Sequence, residues 1–149
     1  MNPLHELIQE LAKQKLGAKN NIRKGAVDIA PYQSYLKKVT LKLRTEHRTG
    51  TSGITIVHAR SYMMDLLMQQ LFQDVSTLYA EEIPAKAQIA AVAFGGYGRH
   101  ELNPQSDVDI MILSEGGFKK HGGAEKWMEK FCAAFHQTLL DLKLKLGYI

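Results

Sequence analysis

The chain has 149 residues, of which 45% are hydrophobic and 23% are charged, enough apolar residues for the core of one domain. No apolar run is long enough to cross a membrane, and the first residues lack the basic-then-apolar pattern of a signal peptide. The single cysteine, Cys132, excludes an internal disulfide, so we expect a buried thiol in a cytoplasmic protein.

The charge is unevenly distributed along the sequence. Residues 1–60 carry a net charge of +7, whereas residues 61–149 carry −3, and the total is +4. A basic segment can attract nucleic acid, an acidic protein or a nucleotide. Because aromatic interleaving and zinc-finger spacing are both missing, the pattern argues against nucleic acid and favours solvated helix faces.

The first half of the chain is predicted to be helical. Asn2 and Pro3 are typical of a helix start, and Gly17 is typical of its end. Residues 17–30 are expected to form a linker, and residues 31–48 a second helix. The apolar residues predicted to point inward from these two helices are Leu4, Leu7, Ile8, Leu11, Leu16, Tyr32, Tyr35, Leu36, Val39 and Leu43.

A long third helix is predicted over residues 55–81, closed by Pro84. Its apolar residues recur every three or four positions, which predicts either a core stripe or a partner-facing surface. These residues are Val57, Met63, Leu66, Leu67, Leu71, Val75 and Leu78.

Two strands are predicted over residues 88–94 and 108–113, on either side of a glycine-rich turn. The glycines of residues 115–123 indicate a loop, either an ordinary surface loop or a lid. A last helix is predicted over residues 124–146. The side chains expected against the sheet are Trp127, Phe131, Phe135, Leu139 and Leu142.

Two aspartates open the second strand. Side chains two positions apart on a strand share a face, so Asp107 and Asp109 are predicted to project side by side, opposite Val108, Ile110 and Ile112. Neighbouring carboxylates repel each other unless a cation lies between them, and hard oxygen ligands suit Mg²⁺. Backbone amides in the upstream glycine turn are suited to bind anions. The segment therefore predicts a site for a metal-bound nucleoside triphosphate.

The residues Phe94-Gly95-Gly96, a ten-residue spacer and Asp107-Val108-Asp109 resemble the nucleotidyltransferase fold of the DNA polymerase beta superfamily. Within this superfamily, the sequence from Gly95 to Asp109 is most similar to the N-terminal catalytic domain of bacterial uridylyltransferases that act on the P-II nitrogen-signalling protein. A second match lies at residues 50–67, and a third, weaker match lies at residues 140–148. The resemblance implies an α+β fold with a small mixed sheet, in which residues 1–48 are a helical extension and residues 49–149 the nucleotidyltransferase domain.

The same resemblance implies the roles of the motif residues. Asp107 and Asp109 would be the catalytic carboxylates that hold two Mg²⁺ ions, or one in an incomplete chain. Gly95 and Gly96 would let the backbone approach the triphosphate, and Arg99 would contact phosphate oxygens.

Two further polar residues of the motif are given supporting roles by the resemblance. Ser106 would hydrogen-bond near the phosphates or orient the adjacent aspartate, and Glu101 would brace Arg99. His100, beside that arginine, is expected to be an exposed residue rather than a phosphate ligand.

The superfamily usually supplies a third carboxylate from a later strand, which this sequence lacks. Asp141 is the only late acid and is predicted to lie within the last helix among leucines, so it is a poor substitute. The chain is therefore expected to be a fragment. The histidines show no metal-ligand spacing, and no His-Asp dipeptide indicates the hydrolase activity that would remove a uridylyl group.

The resemblance implies an enzyme that transfers UMP from UTP to a protein hydroxyl, such as the P-II tyrosine, and releases pyrophosphate. One alternative within the enzymes is a small antitoxin-type adenylyltransferase, although the long helical lead before the glycine motif argues against it. A second alternative is a regulatory module that binds nucleotide without turnover, which the missing third acid favours. A third is a helical interaction module built on residues 55–81.

Overall fold

A computed structural model describes residues 2–17, 20–115 and 124–147 of the chain. The fold is of the α+β class, with helices and two small antiparallel sheets. The described helices are α1 (Pro3–Lys15), α2 (Ala30–Arg48), α3 (Gly53–Leu78), α4 (Gly95–Gly98) and α5 (Ala124–Asp141). The described strands are β1 (Ile22–Arg23), β2 (Ala26–Val27), β3 (Ile89–Ala93) and β4 (Ile110–Ser114).

The first three helices pack against one another and share a core with the rest of the chain. The α1 helix begins as predicted, because the Asn2 side chain accepts a hydrogen bond from the amide of Leu4 and Pro3 occupies the first helical position. The apolar stripe of α3 is almost entirely buried or half-buried against α1, α2 and α5. This burial confirms the core interpretation of that stripe.

A buried carboxylate ties the predicted linker and α2 to α3. Asp74 accepts hydrogen bonds from the Tyr32 hydroxyl, from the backbone and side-chain nitrogens of Asn21, and from Gln70. The linker itself contains a short hairpin, β1 and β2, which the sequence did not predict. Its turn places Lys24 and Gly25 at positive φ, a conformation that only the glycine signals in advance.

Helix α5 packs on α3 through aromatic side chains. The ring of Phe72 lies edge-on to Phe131, with centroids 5.2 Å apart, and the predicted inward residues of α5 are buried. The thiol of Cys132 is half-buried, and burial raises its pKa, which agrees with a packing role. Of the helices described, none is both long and apolar enough to span a membrane.

The ends of three elements differ by at least two residues from the sequence predictions. Helix α3 stops at Leu78, before Pro84, and turns connect the two. Strand β4 begins at Ile110 rather than at residue 108. Helix α5 ends at Asp141 rather than at residue 146, so that acid is the last residue of the helix and is exposed.

The early end of α5 has a local cause. Lys143 has a left-handed φ of 59°, which breaks the helical hydrogen-bond pattern. The chain then extends, and Leu146 forms a parallel bridge with Val108. Because β3 and β4 are antiparallel, this bridge gives the sheet region a mixed character. The predicted lid or loop at residues 116–123 lies outside the described residues.

Candidate functional site

A glycine turn follows β3 and leads directly into the short helix α4. Gly95 has a φ of +61°, which glycine adopts at no steric cost. The turn is held by the amide of Gly98, which donates to the Phe94 carbonyl at 2.9 Å. Within the described ranges, no carbonyl outside α4 accepts a hydrogen bond from the amides of Gly95 or Gly96, as is usual for the first residues of a helix.

The carboxylate of Asp109 lies between two glycines. A Cβ added to Gly95 would lie 2.3 Å from Asp109 Oδ2, and one added to Gly147 would lie 1.7 Å from Oδ1. Both separations are far shorter than any real contact of a side-chain carbon. The absence of side chains at Gly95 and Gly147 is therefore what leaves room for this carboxylate.

Backbone hydrogen bonds hold the aspartate segment on both sides. The carbonyl of Asp109 accepts from the amide of Phe94 at 3.1 Å, on the β3 side. On the other side, the amide of Val108 donates to the Lys145 carbonyl at 2.7 Å, and the amide of Gly147 donates to the Val108 carbonyl at 3.2 Å. Two neighbouring chain segments thus fix the position of Asp109.

Both aspartates precede the regular strand, which corrects their predicted place within it. Burial still alternates along this segment: Val108 is buried, Asp107 is exposed and Asp109 is half-buried. Beyond them, Met111 is exposed, on the face that Asp109 shares by strand alternation. The burial of residues 107–109 agrees with the predicted separation of the acids from Val108.

In the described part of the chain, neither aspartate has an ion pair or a side-chain hydrogen bond. Their four oxygens are hard metal ligands that pair with no cationic side chain of the described residues, and a divalent cation suits such a set of ligands. No group of three or more His, Cys, Asp or Glu side chains that could hold a metal ion occurs among the described residues. A cation here would thus have few protein ligands, as Mg²⁺ often does.

The other two residues predicted to contact phosphate, Arg99 and Ser106, are exposed in the loop that follows α4. Arg99 Nε lies 3.5 Å from Glu101 Oε2, so these side chains pair as the sequence interpretation expected. Ser106 is exposed, and its amide donates to the Asn103 carbonyl at 2.9 Å. Its hydroxyl makes no hydrogen bond with Asp107, nor with any other described residue.

A second polar cluster, which the sequence interpretation missed, lies behind the turn. Tyr97 of α4 is buried, and burial, followed by the negative charge of Asp65, raises the pKa of its hydroxyl. Asp65 Oδ2 is also 3.9 Å from His100 Nδ1, and the histidine is exposed, as expected. The sequence contains a signal for this cluster, because Asp65 falls within the second match, at residues 50–67.

A cleft of about 370 Å³ lies between α3 and β3, next to this cluster. Neither Asp107 nor Asp109 lines it. The lining residues are Asp65, Met68, Gln69, Phe72, Ile89, Ala90, Ala91, Ala93, Tyr97 and Ile110. The candidate site is therefore defined by the glycine turn and the two aspartates, not by this cleft.

The sequence also gave no warning of the role of Gly147. The predicted last helix ends at residue 146, next to this glycine, whereas in the structure Gly147 lies in an extended segment that pairs with Val108. An isolated glycine after an apolar run can mark either a helix end or a close backbone approach. Only the structure distinguishes these two possibilities.

Comparison with known proteins identifies the family of the chain. A family model described as a nucleotidyltransferase domain matches residues 69–146. Proteins named bifunctional uridylyltransferase/uridylyl-removing enzyme are 32% identical over 124 residues in Vibrio parahaemolyticus and 34% identical over 122 residues in Pseudomonas fluorescens. Both alignments cover 82% of this chain. A protein of the same name from Photobacterium profundum is 36% identical over 69% of the chain.

The chain spans only a small part of these relatives, namely 13%, 12% and 10% of their respective lengths. No solved structure matches the chain. The family model nevertheless covers the end of α3, the glycine turn, both aspartates and the segment that reaches Leu146. The chain belongs to the nucleotidyltransferase domain family.

Proposed function

We propose that the chain transfers a nucleoside monophosphate from a nucleoside triphosphate, with Asp107 and Asp109 as the carboxylates that bind Mg²⁺. The observation that carries this proposal is the position of Asp109, whose carboxylate lies against Gly95 and Gly147 without a cationic partner among the described residues. A carboxylate that only contacts solvent at the protein surface does not need two neighbouring glycines to make room for it.

The neighbouring groups have the chemistry to bind phosphate. Gly95 and Gly96 begin a helix, and their amides are suited to donate hydrogen bonds to an anion beside the metal. Arg99 is exposed and supplies a planar set of donors for phosphate oxygens, for which Glu101 is an exposed and weak competitor. Ser106 supplies a hydroxyl next to Asp107. These residues would orient the triphosphate rather than react with it.

The proposed reaction is a displacement at the α-phosphorus. The oxygen of the acceptor hydroxyl bonds to phosphorus and gives up its proton, while the bond to the pyrophosphate oxygen breaks and that oxygen retains the electron pair. Mg²⁺ would neutralise phosphate charge and favour the deprotonated hydroxyl. Asp107 and Asp109 would hold the ion or ions, and the chain would otherwise contribute positioning.

The finer assignments rest on the names of the relatives and on the motif resemblance. Because the relatives are named uridylyltransferases, we propose UTP as the donor. The acceptor rests on the motif resemblance alone, from which we propose a protein hydroxyl such as the P-II tyrosine. We also propose that residues 49–149 form the nucleotidyltransferase domain and residues 1–48 its helical extension. A cytoplasmic location stays a prediction.

Binding of UTP to the 149-residue chain, measured by calorimetry with and without Mg²⁺, tests the proposal. The double variant Asp107→Asn/Asp109→Asn is expected to lose Mg²⁺-dependent binding while its Tm stays equal or rises, since two repelling charges are removed. Glu115→Gln/Asp141→Asn is a matched control, because it removes two exposed carboxylates and changes the net charge equally. Retained Mg²⁺-dependent affinity in the first variant would refute the site assignment.

A second candidate function is nucleotide binding without turnover. It is favoured by one observation, namely that the described residues contain no cluster of three possible metal ligands. Pyrophosphate release from UTP in the presence of Mg²⁺ and P-II distinguishes the two functions. Release that requires Asp107 and Asp109 supports the transferase, whereas tight binding without release supports the regulatory module.

A further inference from the structure

A buried hydroxyl on α3 contacts the backbone of the loop between the glycine turn and the aspartates. Ser61 is fully buried, and its Oγ donates to the Val57 carbonyl at 3.0 Å. The same oxygen accepts a hydrogen bond at 3.0 Å from the amide of Leu102, which is 41 residues away in sequence. Leu102 is also fully buried, so water does not replace this acceptor.

The position of Leu102 makes this contact relevant to the site. Immediately before it, the amide of Glu101 donates to the Gly96 carbonyl at 2.9 Å and closes the turn that carries Arg99. Immediately after it, the side chain of Asn103 accepts from the amide of Gln105 at 3.0 Å, at the start of the path to Asp107. Leu102 is therefore a point at which a buried hydrogen bond attaches the loop to α3.

Among the described residues, no other hydroxyl on α3 makes such a long-range hydrogen bond. Ser76 and Thr77 donate to the carbonyls of Phe72 and Gln73, four residues earlier, at 2.7 and 3.0 Å. Hydrogen bonds of this kind stay within the helix and do not fix another segment. The second hydrogen bond of Ser61 thus separates it from the ordinary helical serines and supplies a matched control.

We propose that Ser61 is a positioning residue for the nucleotide site, because it fixes the Leu102 amide and thereby the loop that presents Arg99 and leads to Asp107. This inference rests on the proposed function. Ser61 does not touch the nucleotide, and its effect is transmitted through the backbone. Without the acceptor, the buried Leu102 amide has to find another partner, which requires the loop to move.

The test compares Ser61→Ala, Ser61→Thr and Ser76→Ala in the 149-residue chain. Two quantities are measured: hydrogen exchange of the Leu102 amide, and the affinity for UTP in the presence of Mg²⁺. Ser61→Ala is expected to accelerate exchange and to weaken binding about five- to tenfold, the scale of one lost hydrogen bond. Ser76→Ala is expected to change neither, and Ser61→Thr, which keeps the oxygen, to retain both.

Several outcomes would overturn the inference. Unchanged Leu102 exchange in Ser61→Ala would remove its structural basis, and accelerated exchange with unchanged affinity would remove its functional one. A Ser61→Thr chain that keeps slow exchange but loses affinity would also contradict it. If the unmodified chain itself binds no UTP with Mg²⁺, the proposed function fails, whereas normal binding by both the unmodified chain and Ser61→Ala refutes the role of Ser61 alone.

Discussion

Replacement of Gly147 by alanine is a direct test of the site geometry. The added Cβ would lie 1.7 Å from Asp109 Oδ1 and 2.9 Å from Cγ. Since real Cβ contacts are essentially never under 3.0 Å, the oxygen has to move by about 1.3 Å. It cannot move toward Gly95, because Oδ2 already lies against that residue. The carboxylate must therefore rotate out of its position.

The expected functional loss is large and the expected loss of stability is small. Misplacement of a catalytic group by about 1 Å costs about a hundredfold in rate, so Mg²⁺-dependent pyrophosphate release should fall by about that factor. Gly147 does not have a positive φ, so alanine adds no backbone strain there. Overpacking against a side-chain end costs about 1–2 kcal/mol, which corresponds to a decrease in Tm of a few degrees.

Pyrophosphate release from UTP with Mg²⁺ and P-II, calorimetry of UTP binding with Mg²⁺ and a melting curve together separate these effects. Gly53→Ala is the matched control, because a Cβ at that position meets nothing within 4 Å and the residue begins a helix. We expect that control to bind UTP normally and to be slightly more stable. A Gly147→Ala chain with unchanged Mg²⁺-dependent affinity would refute the argument that Asp109 acts from its position between the two glycines.

Two further predictions concern stability. Asp74→Ala leaves the Tyr32 hydroxyl and the Asn21 amide without their acceptor, so the free energy of unfolding measured by urea denaturation should fall by about 3 kcal/mol. Asp141→Ala, at an exposed helix end, should lower it by less than about 0.5 kcal/mol. Similar losses in the two variants would contradict the conclusion that Asp74 links the linker and α2 to α3. Burial raises the pKa of Tyr32, Tyr35 and Tyr97 above the ordinary value of 10.0. As the pH rises, the unfolded chain therefore loses these protons before the folded chain does. The free energy of unfolding should fall as the pH rises above about 10. Phenolate absorbance that appears for all tyrosines before unfolding would contradict the second prediction.

The helical half of the fold was predictable because its signals are local. Asn2 and Pro3 determine how α1 begins, and the apolar stripe of α3 repeats with the helical period. The linker hairpin was missed because only two residues form each strand, too few for a periodic pattern. Its position depends on Asp74, a residue that is distant in sequence.

The site was predictable as a set of residue types but not as an arrangement. Glycines before a pair of acids predicted an anion site beside a cation site, and the structure brings Gly95 against Asp109. The helical period of the last apolar residues favoured a helix that reached residue 146. In the folded chain, Lys143 adopts a left-handed conformation, and pairing of the following segment with Val108 overrides that local preference.

The contacts that hold the site come from three separate regions of the chain, which explains why no single motif describes it. The glycine turn contacts one oxygen of Asp109, and the segment after α5 contacts the other. Helix α3 attaches the intervening loop through Ser61. Substitutions at these three supports should therefore alter nucleotide affinity without removing any group that binds the nucleotide, and their combined effect should be smaller than a simple sum where they act on the same carboxylate. Gly95→Ala combined with Gly147→Ala tests this coupling, because either change alone displaces Asp109 and the second then has little left to displace.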